Sequence, residues 1–138
     1  MNSFRLDIVT PERVAYAEDV EKVLVPSAEG QLTILPHHVH LFATLAEGEV
    51  KVVKNQEDYF LAIGGGFIEG TKTKVIILVS RAYHAHELNE EAILKAKEQA
   101  EEAIAKGVTG SDLQAAQMLL RSSLVDLKVY HRRRKQIR

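Results

Sequence analysis

The sequence predicts a small β sandwich or barrel followed by an antiparallel α-helical hairpin. Three observations carry this expectation. Apolar residues alternate with period two from residue 4 to about 83, the period changes to 3.6 after residue 86, and closely spaced turn signals punctuate only the first part.

The first strand is expected where Phe4, Leu6 and Ile8 alternate with Arg5 and Asp7. Further strands are expected at 20–25 (VEKVLV), 31–35 (QLTIL), around Val50 and Val52, and at 58–63 (DYFLAI), 66–69 (GFIE) and 74–80 (KVIILVS). Pro11, Glu29-Gly30, Gly48, Asn55, Gly64-Gly65 and Gly70 mark the turns between them. Residues 89–106, NEEAILKAKEQAEEAIAK, are nearly all strong helix formers, with Asn89 placed as an N-cap and Gly107 as a stop. A second helix is expected from Ser111, where Ser-Asp-Leu-Gln has the form of a capping box. Leu113, Ala116, Leu120, Leu124 and Leu127 would give it an apolar stripe.

The first helix offers its neighbour mainly Ala92, Ala96, Ala100 and Ala103. Small side chains let helices approach closely, but they remove little apolar area from water, which is worth roughly 25 cal/mol per Å². The hairpin is therefore expected to be formed yet weakly anchored. The change of period between Tyr83 and Leu88 divides the chain into a sandwich at 1–85 and a hairpin at 86–138.

Composition narrows the function. The 46% hydrophobic and 27% charged content over 138 residues suits one soluble globular unit with a real core. With no cysteine, a disulfide framework, a thiolate metal site and a cysteine nucleophile are all excluded. Neither a secretory leader nor a membrane-spanning apolar run is visible, so a cytosolic or peripheral protein is expected. The net charge of −1 hides an asymmetry: the last seven residues, RRRKQIR, carry five of the 18 cations, leaving 13 against 19 acids in residues 1–131. A basic helix end complements the helix dipole and also suits an acidic partner.

Catalytic signatures are weak. The triplet Gly64-Gly65-Gly66 is followed by strand-like FIEG and lacks the helix and lysine of a phosphate loop, so a tight backbone turn is the better reading. His37, His38 and His40, with His84 and His86 on one strand face, could supply imidazoles to a metal, but nothing in their spacing joins the two groups. Ser27 and Ser80 have no hydrolase signature around them. No catalytic residue, metal or cofactor is expected. The chain reads as a non-enzyme, with a nucleic-acid-binding module carrying a basic helical tail, and behind it a metal-dependent enzyme on the histidine cluster, as the alternatives.

The order of parts resembles the epsilon subunit of bacterial F-type ATP synthase over essentially the whole chain. The resemblance is carried by DIVTPER, VPSAEGQLTILPHH, LAEGEV, FLAIGGGFIEG and KVIILVSRAYHAHELNEEA, in the family's order and spacing. It implies a ten-stranded sandwich, a mobile two-helix hairpin, and a peripheral place on the cytoplasmic face of the bacterial plasma membrane. The implied role is to couple proton-driven rotation to ATP synthesis and to inhibit ATP hydrolysis through the helices. On this resemblance Glu29, Gln31 and His38 would dock on the gamma subunit and the membrane rotor ring. Arg121, Lys128, Arg132, Arg133 and Arg134 would meet an acidic loop of the catalytic alpha/beta head. Nucleotide is not expected as a ligand, because Asn89 and Ala92 stand where ATP-binding members resemble one another in an aspartate and an arginine. The family usually has glycine where this chain has Thr33 and His37.

Overall fold

The computed structural model describes residues 2–38 and 40–136, with side chains through residue 132. Ten strands run in chain order: β1 Phe4–Val9, β2 Val14–Val20, β3 Lys22–Ser27, β4 Gly30–Ile34, β5 Leu41–Leu45, β6 Gly48–Lys54, β7 Glu57–Ile63, β8 Gly66–Gly70, β9 Lys74–Val79 and β10 Ala82–His84. A single 3-10 turn, Ala85–Glu87, leads to α1 (Glu90–Ala105) and α2 (Gly110–Gln136). The strands pair in the order β10-β7-β6-β3-β5-β8-β9-β1-β2, with β4 added on β3. All pairs are antiparallel except β1 with β9. The expected sandwich with a helical hairpin is what the chain forms.

Alternation places one face of each strand inside. Leu6 and Ile8, Val23 and Val25, Val50 and Val52, Leu61 and Ile63, and Val75 and Ile77 are fully buried in one core. The outermost strands β10 and β2 are linked by side chains: His84 Nε2 donates to the Ala15 carbonyl at 2.7 Å, and Arg13, just ahead of β2, donates from Nη2 to the Ala82 carbonyl at 2.6 Å.

Three strands, β2, β5 and β10, were not anticipated from the pattern. In β2 the adjacent Ala15 and Tyr16 are both buried while Val14 is exposed, so the alternation is lost. Strand β10 is only three residues long. Gly48 and Gly70, read as turns, lie within strands. The glycine triplet is explained by close backbone approach, since a Cβ at Gly66 would lie 1.9 Å from the Leu78 carbonyl oxygen.

Asn89 caps α1 as expected, its side chain accepting from the Ala92 amide at 2.9 Å. Helix α2 begins at Gly110, one residue before the predicted capping box, so Ser111 lies inside the first turn. The alanine seam is only partial: Ala100 and Ala116 are buried, but Ala92 is exposed and Ile93 is buried beside it. Leu124 also faces outward, while Ser123 and Val129 face inward. The reason is that α2 packs against α1 and against the sandwich at once, so one periodic stripe cannot describe its buried surface.

Candidate docking surface and hairpin seam

The stretch AEGQLTILPHH forms the end of β3, a tight turn and β4. The Ser27 hydroxyl donates to the Gly30 carbonyl and accepts from the Glu29 amide at 3.2 Å, which fixes the turn and leaves Glu29 exposed. Gln31 pairs with Pro26 across the ladder, and its side chain is exposed. Both residues line an open cavity of about 630 Å³ between residues 27–34 and 41–44. His38 is set apart from that cavity. Its Nδ1 donates to the Leu35 carbonyl at 3.0 Å, and its ring meets Phe4 edge-on at 5.3 Å. Its Nε2 is buried beside Gly70, without a hydrogen-bond partner among the described residues.

The two glycine departures have different consequences. Thr33 sits in regular β4 opposite Leu24, where any side chain is tolerated. His37 has φ of 64°, the left-handed region that strains a residue with a Cβ. Of the second histidine group, His84 is bonded to Ala15 and stacked on His86 at 5.1 Å.

An apolar ladder adjoins the cavity. Phe42 on β5 stacks on Phe67 of β8 at 5.6 Å, and Phe67 is opposite Leu78 of β9. These side chains are 68%, 49% and 51% exposed, a contiguous apolar patch of the kind that marks an interaction surface. Each residue lies at an outward position of a half-buried strand. A single outward apolar residue is common, and only the register reveals that three are adjacent.

The hairpin docks through a second, mainly polar set of contacts. Fully buried Val129 of α2 enters a small apolar cluster with Ala62 and Ala85, flanked by Phe60, Leu88 and Val125. Arg81 Nη1 donates to Asp126 at 2.9 Å, and its other terminal nitrogen reaches Glu47 at 3.5 Å. Burial pushes the Asp126 carboxyl up more strongly than the neighbouring guanidinium pulls it down. Arg132 Nε and Nη2 fork onto both oxygens of Glu49 at 3.0 and 3.2 Å, and Lys128 Nζ lies 4.0 Å away. That carboxylate raises the Arg132 pKa further, and the guanidinium also lies 5.1 Å from the Phe60 ring.

At the joint between the two parts, Arg13 holds both oxygens of Glu87 at 2.8 and 2.9 Å. This forked bond, aided by the His84 amide at 2.8 Å, holds the Glu87 carboxyl down to about 2. Of the expected acidic-loop residues, Arg121 is exposed, Lys128 is mostly exposed and Arg132 is engaged with Glu49. The side chains of Arg133 and Arg134 lie outside the described residues. Asn89 and Ala92 line a shallow hollow of about 320 Å³, to which Glu87 and Asp126 also contribute.

Residues 3–85 match the family model described as the beta-sandwich domain of the ATP synthase Delta/Epsilon chain. The ATP synthase epsilon chain of Dehalococcoides mccartyi is 39% identical over 136 residues, covering 98% of this chain and 97% of that one. That of Herpetosiphon aurantiacus is 41% identical over 130 residues, covering 94% and 96%. The chain therefore belongs to the epsilon chains of ATP synthase, the stalk subunits of that complex, which decides against the nucleic-acid reading. The fold is shared with solved structures at lower identity. A chain of the Euglena gracilis mitochondrial ATP synthase, solved as OSCP/F1/c-ring in rotational state 1, superposes with TM-score 0.69 at 18% identity, over 99% of this chain and 82% of that one. A chain of the Tetrahymena thermophila central stalk/c-ring gives 0.60 at 16% identity, over 92% and 96%. Among the described residues no helix is long and apolar enough to cross a membrane.

Proposed function

We propose that this stalk subunit couples proton-driven rotation to ATP synthesis through its sandwich and restrains ATP hydrolysis through its hairpin. Residues 1–85 would dock on the gamma subunit and the rotor ring at the cytoplasmic face of the membrane, and residues 86–138 would regulate. The carrying observation is the nature of the seam: α2 contributes to it one fully buried valine, Val129, with Val125 at its margin, and a ring of ion pairs that a competing acid can replace. On the sandwich, exposed Glu29 and Gln31 beside the Phe42–Phe67–Leu78 ladder combine a polar rim with an apolar centre, which suits a protein partner. His38 would support that surface from within, through its contact with Phe4.

Nucleotide binding is not part of this reading. No lysine or arginine is among the described residues that line the hollow at Asn89 and Ala92, so it offers no cation to a polyphosphate. The test is ATP hydrolysis by a purified head complex carrying either the full chain or a version ending at Ala85. The truncated protein should bind gamma and rotor ring normally while hydrolysis rises; unchanged hydrolysis would remove the inhibitory half of the proposal. Replacing Arg132, Arg133 and Arg134 together by alanine should also raise hydrolysis, and equal inhibition by that variant would exclude an electrostatic contact.

A further inference from the structure

Nothing in the sequence pairs Glu49 with the second helix, yet it is the centre of the polar seam. It lies on β6 opposite Ala62, and its side chain is only 13% exposed. Its two oxygens receive the Arg132 fork, and Lys128 stands at the edge. Lys51, two residues along the same strand, pairs with Asp58, and among the described residues Glu49 is met by cations from α2. The Nε–Nη2 edge of Arg132 that grips Glu49 cannot place the same two N–H groups on a second carboxylate at the same time.

We propose that Glu49 is an internal acidic site that competes with the external acidic partner of α2 for the same two cations, Arg132 and Lys128, and so sets the fraction of chains whose hairpin is closed. This rests on the reading of α2 as the inhibitory element. The competition follows from geometry: with Arg132 forked onto Glu49 its charge is spent inside the molecule, and on opening it becomes available outward. Any partner that needs the open hairpin binds with an affinity reduced by the fraction that is open. Replacing the carboxylate by an amide keeps the shape and removes the charge, so it acts on this equilibrium with little effect on the sandwich core.

Because the native chain has no cysteine, a pair of spin labels at Lys72→Cys on the sandwich and Ser111→Cys on α2 reports hairpin position in the full-length protein by pulsed electron resonance. Glu49→Gln should lower the closed-to-open ratio about tenfold, the weight of a charge-assisted forked bond. Arg132→Gln should do the same, the double variant should go no further than either single one, and Glu49→Arg with Arg132→Glu should recover the closed form. A wild-type ratio in Glu49→Gln, or single effects that simply add, would overturn the proposal. In the assembled complex Glu49→Gln should inhibit hydrolysis more strongly than wild type. An opened hairpin with unchanged hydrolysis would support the internal site while overturning the inhibitory reading of α2.

Discussion

The two faces of β7 are buried by different chemistry, and the contrast explains the molecule. Inward, Leu61 and Ile63 join a continuous core of branched aliphatic side chains with no exposure at all. Outward, Phe60 and Ala62 meet α2 across a cluster in which Ala62, Ala85 and Val129 are the buried members, ringed by Arg81–Asp126 and Arg132–Glu49. Apolar burial is insensitive to salt and accumulates with area, whereas a ring of partly buried ion pairs sets desolvation against charge attraction and depends on geometry. One face of the strand is held by apolar area and the other by a small apolar contact ringed with paired charges.

The largest expected difference comes from truncating each face. Leu61→Ala should destabilise the sandwich by about 2–5 kcal/mol in chemical denaturation. Val129→Ala should cost the hairpin contact only about 1–2 kcal/mol and leave the sandwich transition where it was. Equal effects of the two substitutions on that transition would mean that hairpin and sandwich unfold as one unit.

The joint between the regions carries its own pH signature. Glu87 has a folded pKa of about 2 against an ordinary 4.5, so its bond to Arg13 contributes fully above about pH 4.5 and is lost as pH falls toward 2. Partial exposure limits the contribution to about 1 kcal/mol. Acid titration of stability should show this loss in wild type and not in Glu87→Gln; identical profiles would break the assignment.

Smaller effects sharpen the comparison. His37→Gly should raise sandwich stability by about 0.5–1 kcal/mol, because the left-handed backbone at φ 64° suits glycine. Asp126→Asn should leave the closed fraction of the hairpin within about twofold of wild type, because burial already opposes the Asp126 charge. A loss as large as that expected for Glu49→Gln would show that both ion pairs hold the hairpin equally.

Local rules made much of the fold legible. Alternation located β1, β6 and β9, Asn89 marked the start of α1, and a helical period marked α2, because each depends on residues a few positions apart. The order of motifs also disclosed the family. Alternation failed at β2, whose neighbouring Ala15 and Tyr16 face different surroundings, and at three-residue β10. It also missed the seam and the apolar ladder.

By itself the sequence determined a run of strands of period two followed by helices of period 3.6. Only tertiary structure decided where the hairpin rests, that Glu49 takes the charge of Arg132 83 positions away, and that Phe42, Phe67 and Leu78 are neighbours. The physical reason is range. Secondary structure is selected by backbone and side-chain preferences within a turn or a strand, while ion pairs and cross-strand patches depend on register and on chain closure across many tens of residues, which no local pattern encodes.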